Sequence, residues 1–420
     1  MKKFLKTIKT WHIVSLAVIF IIFFALRLIN LNGLPVFVDE AIYIRWAQIM
    51  RSEATLRFLP LQDGKQPLFM WSMIPMFKVF ADPVIAGRVL SVLAGFGSLL
   101  GLTTLSFLLF SSLKVSLLTA LLYAITPYTV FFDRMALVDS LLAMFGIWSL
   151  VIGFLYVKKP KLGLALILGA VLGAAFLTKS PAVFFYVSQP ILAIFFFKKS
   201  RSQNVFKLLA GWALALIISQ GIYNILRLGP NFHMVGSRNQ DYLFSFSEVF
   251  THPLNPLIGN LKSTFSWIAA LFTLPLAVMI PFAFIKPKLR KPSLLILFVS
   301  FIPLVSQALI AKVYTPRYLL YAAIPLLLLV ANGLFSVSNQ IKTKLPKFKH
   351  LFPVILLLFA LVTSVRYILT PEKVDMPRRM RHGYLEEWTA GWGQKDLGSF
   401  LVNLADQGET MVVGAEGYFG

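Results

Sequence analysis

The sequence predicts an all-α polytopic membrane protein. Three observations carry this. Of the 420 residues, 58% are hydrophobic and 14% charged, where a soluble domain carries nearer a quarter charged. The apolar residues fall in repeated blocks of about 17 to 25, the length of a bilayer-crossing helix. Half of the 40 Lys and Arg residues gather in short clusters between alternate blocks, as the positive-inside rule requires.

In a soluble chain a net charge of +23 would suggest a nucleic-acid partner. Its distribution here assigns it to the lipid bilayer, and no nucleic acid is expected. There is no Cys, which excludes disulfides and thiolate metal sites.

Eleven spans are predicted: 11–29, 84–110, 115–131, 135–156, 162–178, 181–197, 208–226, 264–285, 293–311, 317–333 and 351–369. The first is read as a retained span, since no small-residue cleavage site follows it. With the N-terminus in the cytoplasm, the clusters Lys2–Lys9, Lys114, Lys158–Lys161, Lys198–Lys207, Lys286–Lys291 and Lys342–Lys349 all fall inside. All 17 acidic residues then fall outside or at outer span ends. Shifting the parity by one span scrambles that separation. The protein is thus expected in the plasma membrane with its active loops and C-terminus extracytoplasmic.

The apolar run Pro67–Phe80 is too short for a span and suits an interfacial or re-entrant helix. At Thr370 the composition turns mixed. Leu397, Phe400, Leu401 and Leu404 repeat at helical spacing, Gly408 ends that helix, and residues 411–413 read as a strand. This divides the chain into a transmembrane unit, 1–369, and an extracytoplasmic region, 370–420. The latter reads as the start of a small α/β domain, too short to close a core.

The outer loops hold the chemistry. In the stretch from Val38 to Met50, Ile42, Trp46, Ile49 and Met50 form one apolar stripe, as in a helix lying in the membrane interface. Asp39 reads either as its N-cap or as a reactive carboxylate, and Glu40 is favoured by the helix dipole. A carboxylate at that depth is partly desolvated, which raises its pKa and suits a general base. Lys65, two residues before Pro67, reads as an anion site or as a lysine snorkelling to water. Asp139 opens a span, where a carboxylate needs a partner, and Arg134 is the expected one. Arg317 and Tyr318 open a late span and read as a phosphate contact or as part of an aromatic belt. Lys179 reads as a snorkelling residue. No convincing metal-ligand set is present, so no cofactor is expected.

In order, these clusters resemble the GT-C superfamily of polyprenyl-phosphate-sugar transferases. The similarity is to glycosyltransferase family 39, the protein O-mannosyltransferases, and to the bacterial lipid A aminoarabinose transferases. Asp39-Glu40 with Tyr43, Lys65-Gln66-Pro67-Leu68, Arg134 to Asp139, Thr178-Lys179-Ser180-Pro181 and Pro316-Arg317-Tyr318 carry it, over roughly residues 10–335. Two positions depart from the pattern. Ile42 stands where aminoarabinose transferases carry Arg, and Gln66 replaces the first proline of Lys-Pro-Pro-Leu.

The resemblance implies inverting transfer of a mannose-like hexose or aminoarabinose-like pentose from a polyprenyl phosphate to an extracytoplasmic protein, lipid or glycan. Asp39 is then the base, with Glu40 orienting it or binding sugar. Lys65, Arg134, Arg317, Tyr318, Asp139 and Tyr43 bind the donor phosphate and sugar, and no metal is needed. The alternative reading is a transporter or flippase of lipid-linked sugars.

Overall fold

The structure, a computed structural model, describes residues 9–197, 202–344, 346–348, 351–410 and 412. It is an all-helical bundle; among the described residues the strand pairing is one isolated bridge, Leu243 with Ala311. The predicted strand at 411–413 lies outside the described residues except for Val412.

The membrane-type helices follow the apolar blocks. They begin with α1 (Thr10–Leu28), followed by the surface helices α2 (Val38–Ser52) and α3 (Leu68–Met73). Next come α4 (Pro83–Phe110), α5 (Leu113–Ile125), α6 (Pro127–Phe132), α7 (Val138–Lys158), α8 (Leu162–Thr178), α9 (Val183–Phe196) and α10 (Ser202–Tyr223). The chain continues with α11 (Met234–Tyr242), α12 (Leu257–Leu271), α13 (Pro287–Ile310), α14 (Pro316–Ala323), α15 (Leu326–Lys344), α16 (Leu351–Leu369) and α17 (Gln394–Asp406).

Among the described residues, six helices are long and apolar enough to cross a membrane, or eight if each of two bent pairs is one span. The sequence count of eleven also took in three shorter apolar helices, including α5 and α8. Prolines account for the breaks. Pro127 splits the predicted span 115–131, because the residue before a proline avoids the helical region; Thr126 is extended, with ψ 129°. The predicted span 317–333 bends by 58° between α14 and α15, where Pro325 sits.

Helix α7 is the most buried of the six long helices. Around it small residues set the spacing. At Gly173 of α8 a Cβ would lie 2.8 Å from Ile222 Cβ of α10, so only glycine permits this approach between helices.

Two buried ion pairs fasten the helix ends that face the surface helices. Arg27, at the end of α1, reaches Asp133 at 3.0 Å, and both are fully buried. Asp133 also accepts from Tyr123 and Ser140. Arg88 of α4 grips Glu40 of α2 through two hydrogen bonds of 2.8 and 2.9 Å. Neither pair was recognised from sequence. In a low-dielectric interior such charges persist only when fully partnered.

Two surface elements differ from expectation. Helix α2 buries Tyr43, Ile44 and Ala47 as well as Ile42, Trp46 and Met50, so it is inserted into the protein rather than floating on one apolar stripe. The run 67–80 is the short helix α3 followed by a 3-10 turn at Ile74–Lys78.

Beyond α16 the chain folds back onto the same end of the bundle. Tyr384 is buried, with its ring 4.6 Å from that of Phe37 and 5.2 Å from that of Phe131. Gly391, at φ +77°, packs where a Cβ would lie 2.1 Å from the Val36 carbonyl oxygen. The helix expected from Leu397 to Leu404 is α17, which buries none of its side chains; the left-handed Gly408 follows it.

Candidate active site

Helix α2 starts directly after an extended Phe37, and its first turn holds both acidic residues. Their roles separate at once. Glu40 reaches back to accept the Phe37 backbone N–H at 3.1 Å, closing the helix start. The capping expected of Asp39 is therefore done by Glu40. Asp39 is left facing a cavity of about 410 Å³ that opens between α2, the 63–66 turn, the 178–184 segment, α11 and the 310–318 segment. That volume suits a small-molecule site.

Four cations line this cavity. Arg317 Nη2 lies 2.5 Å from Asp39 Oδ2. Lys65 Nζ lies 3.9 Å from Asp39 Oδ1 and 3.0 Å from Asp63. It also sits 5.3 Å from the centre of the Tyr43 ring. Lys179 Nζ bonds Asp139 at 2.6 Å and lies over the Tyr318 ring at 4.1 Å. Arg238, on α11, pairs with Asp63 at 3.1 Å and Asp241 at 2.8 Å. Val138, Pro181, Phe184 and Ile310 add apolar wall.

The electrostatics of Asp39 run against the expectation of a raised pKa. Burial pushes its carboxyl up, but Arg317 and then Lys65 outweigh burial and hold it below the usual aspartate range. Burial beside Asp39 pushes the Tyr43 phenol well up, so it stays protonated.

The cavity thus combines apolar wall with two cation-paired carboxylates, Asp39 and Asp63. Residues 64–223 match the family described as dolichyl-phosphate-mannose-protein mannosyltransferase. The fold is shared with ArnT from Cupriavidus metallidurans in the apo state, with TM-score 0.58 and 16% identity over 94% of this chain and 71% of that one. ArnT bound to undecaprenyl phosphate gives TM-score 0.56 and 17% identity over 94% and 80%. The archaeal oligosaccharyltransferase AglB from Archaeoglobus fulgidus gives 0.55 and 14%; this chain covers 57% of AglB's length and 89% of its own. No curated protein matches by sequence. The chain shares the fold of these membrane proteins.

Asp39, Tyr43, Lys65, Arg317 and Tyr318 share one cavity. Asp139 stands beside it, held by Lys179. Its expected partner Arg134 is elsewhere. The Arg134 guanidinium donates to the carbonyls of Leu26, Arg27, Ile29 and Asn30, closing the C-terminus of α1 where carbonyls lack helical partners. Glu40 is fully buried and also accepts the Ala136 N–H at 2.6 Å. Its oxygens are turned into the protein between α2, α4 and the start of α7, not toward the cavity.

Three contributors escaped the sequence reading. Lys179 looked like a snorkelling lysine. Asp63 lies two residues before Lys65, outside the motif that includes it. Arg238 lies in a polar loop with no pattern to mark it. A signal existed for Lys179, itself part of a motif that carries the resemblance, and for Asp63, which adjoins one. Among the described residues, no group of three or more His, Asp or Glu side chains is placed to hold a metal.

Proposed function

We propose that the protein moves one sugar from a polyprenyl phosphate to an acceptor outside the cytoplasm, with inversion at the anomeric carbon. The observation that carries this reading is the Asp39 carboxylate held in one cavity with Arg317, Lys65 and Lys179. The acceptor hydroxyl attacks the anomeric carbon and gives its proton to Asp39. The bond from that carbon to the phosphate oxygen breaks, and its electron pair leaves on the polyprenyl phosphate. Lys179, Lys65 and Arg317 stabilise the charge that develops there, the kind of fixed electrostatic help that lowers such barriers most.

Held below the usual range by Arg317 and Lys65, Asp39 is a weak base while those cations are its partners. An incoming phosphate competes for Arg317 and Lys65, loosening their hold on Asp39 and restoring its basicity as the donor arrives. The order of events thus favours transfer over premature protonation. Glu40 and Arg134 act by holding α1, α2 and α4 in place. Support for the lipid donor comes from the ArnT structure bound to undecaprenyl phosphate and from the apolar cavity wall.

The orientation we propose keeps the N-terminus cytoplasmic and the cavity extracytoplasmic, in the plasma membrane, from the positions of the basic clusters. The unit 1–369 is the catalytic domain and 370–420 an appended region, part of which packs on the cavity end through Tyr384.

The experiment is turnover of a panel of polyprenyl-phosphate sugars by purified wild type and Asp39→Asn. Donor-specific release of polyprenyl phosphate, lost in the variant, supports the reading. Donor binding without any release, in wild type, would point to a transporter instead.

A further inference from the structure

A second cavity, of about 740 Å³, lies beyond the wall of the first. The wall is the extended segment before α14. Its side chains alternate: Ala311 and Val313 line the first cavity, Lys312 and Tyr314 the second. The Leu243–Ala311 bridge pins this segment, and Lys312 N–H donates to the Tyr242 carbonyl at 2.8 Å. The two cavities are therefore back to back across one strand's thickness.

The second cavity is strongly basic. Lys262, Lys312, Arg378 and Arg379 line it, with His382, and no Asp or Glu does. In the first cavity every cation has a carboxylate partner; here none of those four is in an ion pair among the described residues. Glu386 and Glu387 are engaged instead by Arg381 and His382. Lys312 is engaged by the Gln240 carbonyl at 3.0 Å and acts on Glu248, but Lys262, Arg378 and Arg379 facing one space still make a field that attracts an anion.

Helix α12 indicates what kind of anion. Asn260, Ser263, Ser266 and Trp267 line the groove and fall on one helix face. The exposed apolar residues Ile258 and Phe265 lie about half a turn around, at roughly 100° per residue. The groove therefore faces away from the exposed apolar side of the helix. No Leu, Ile, Val or Phe lines the groove. A docked peptide takes apolar anchors, whereas serine oxygens, the Asn260 amide oxygen, whose nitrogen already donates to the Ala308 and Ala311 carbonyls, and the Trp267 edge suit sugar hydroxyls.

From this arrangement we infer that the groove binds the acceptor, and that the acceptor is an anionic glycan, a saccharide carrying phosphate or carboxylate groups. The inference rests on the transfer reading above and specifies its acceptor. The cations hold the charged groups while the 311–314 segment sets the distance to Asp39.

The test is direct binding, with no donor present, to the purified full chain in phosphatidylcholine nanodiscs. Two labelled oligosaccharides of the same sugar sequence, one bearing phosphate monoesters and one neutral, are titrated by fluorescence anisotropy. The phosphorylated probe is expected to bind at least about tenfold more tightly, with affinity falling as salt rises. Arg378→Glu with Arg379→Glu is expected to weaken it by about tenfold or more. Lys262→Glu, on the opposite wall, is expected to act in the same direction and carries the test if the double variant does not fold. Asp39→Asn is expected to bind the probe like wild type.

Equal or absent binding of the two probes overturns the proposal, as does indifference to both sets of substitutions. Stronger binding of an acidic peptide of equal charge makes the groove a protein site. Binding only to phosphatidylglycerol vesicles makes it a lipid site. Groove binding is read without turnover, so its failure is distinct from a wild-type chemistry that survives Asp39→Asn.

Discussion

Arg317 Nη2 and Asp39 Oδ2, 2.5 Å apart, join the first turn of α2 to the start of α14. The Arg317 end is itself fixed, since Tyr128 of α6 donates to the Pro316 carbonyl at 2.5 Å. Both partners of the pair are thus held by elements that pack independently. The Asp39 carboxylate is placed by tertiary structure, and its charge state is set chiefly by the same contact.

Asp39→Asn is expected to lower sugar transfer by about a hundredfold or more, the upper range for a general base. Binding of polyprenyl phosphate should persist, because loss of the negative charge frees Arg317 and Lys65 for the phosphate. Release of polyprenyl phosphate and a separate binding titration check the two halves.

The pH profile carries a sign. Asp39 is held below the usual aspartate range, so the carboxylate stays ionised at acidities where a free aspartate is protonated. In the donor-free enzyme, kcat/KM should show no acid limb due to Asp39 down to about pH 4, the unperturbed value. In Arg317→Gln the limb should move to higher pH, because the main charge lowering the pKa is gone. A limb unchanged by that substitution would remove Arg317 as its cause.

Arg88→Ala is expected to destabilise by about 3–5 kcal/mol, since it leaves the fully buried Glu40 without its cation. The loss should appear as a lower thermal unfolding temperature. Glu40→Gln keeps the shape and part of the bonding, so it should unfold between the two and retain measurable transfer. Abolished transfer in a Glu40→Gln protein of wild-type stability would show that Glu40 takes part in the chemistry.

Arg134 and Lys179 are expected to behave oppositely. Lys179→Ala should weaken polyprenyl-phosphate binding by about tenfold, the effect of losing one charge-assisted contact, with little change in unfolding. Arg134→Ala should lower stability by exposing several α1 carbonyls to an unpaired state, and in the folded fraction leave donor affinity near wild type. The titration and the melting curve, read together on both variants, decide this.

Much of the architecture was legible in the linear chain. Bilayer-length apolar blocks and basic clusters at alternate ends need no tertiary contact to be read, because hydrophobic thickness and charge placement act on each segment separately. The motif residues Asp39, Tyr43, Lys65, Arg317 and Tyr318 could be singled out for the same reason. Each is a polar group in or beside an apolar run, where it costs energy without a purpose.

What only the folded chain decided is which partner each charge takes. Arg134 stands five residues from Asp139, yet its guanidinium caps α1, and Lys179 takes Asp139 instead. Asp39 and Glu40 are chemically near-identical neighbours, but successive helical positions point about 100° apart. One therefore enters a cavity with Arg317 and the other a buried clamp with Arg88. Sequence proximity supplies the groups; packing in a low-dielectric interior, where every buried charge must find a partner, assigns them.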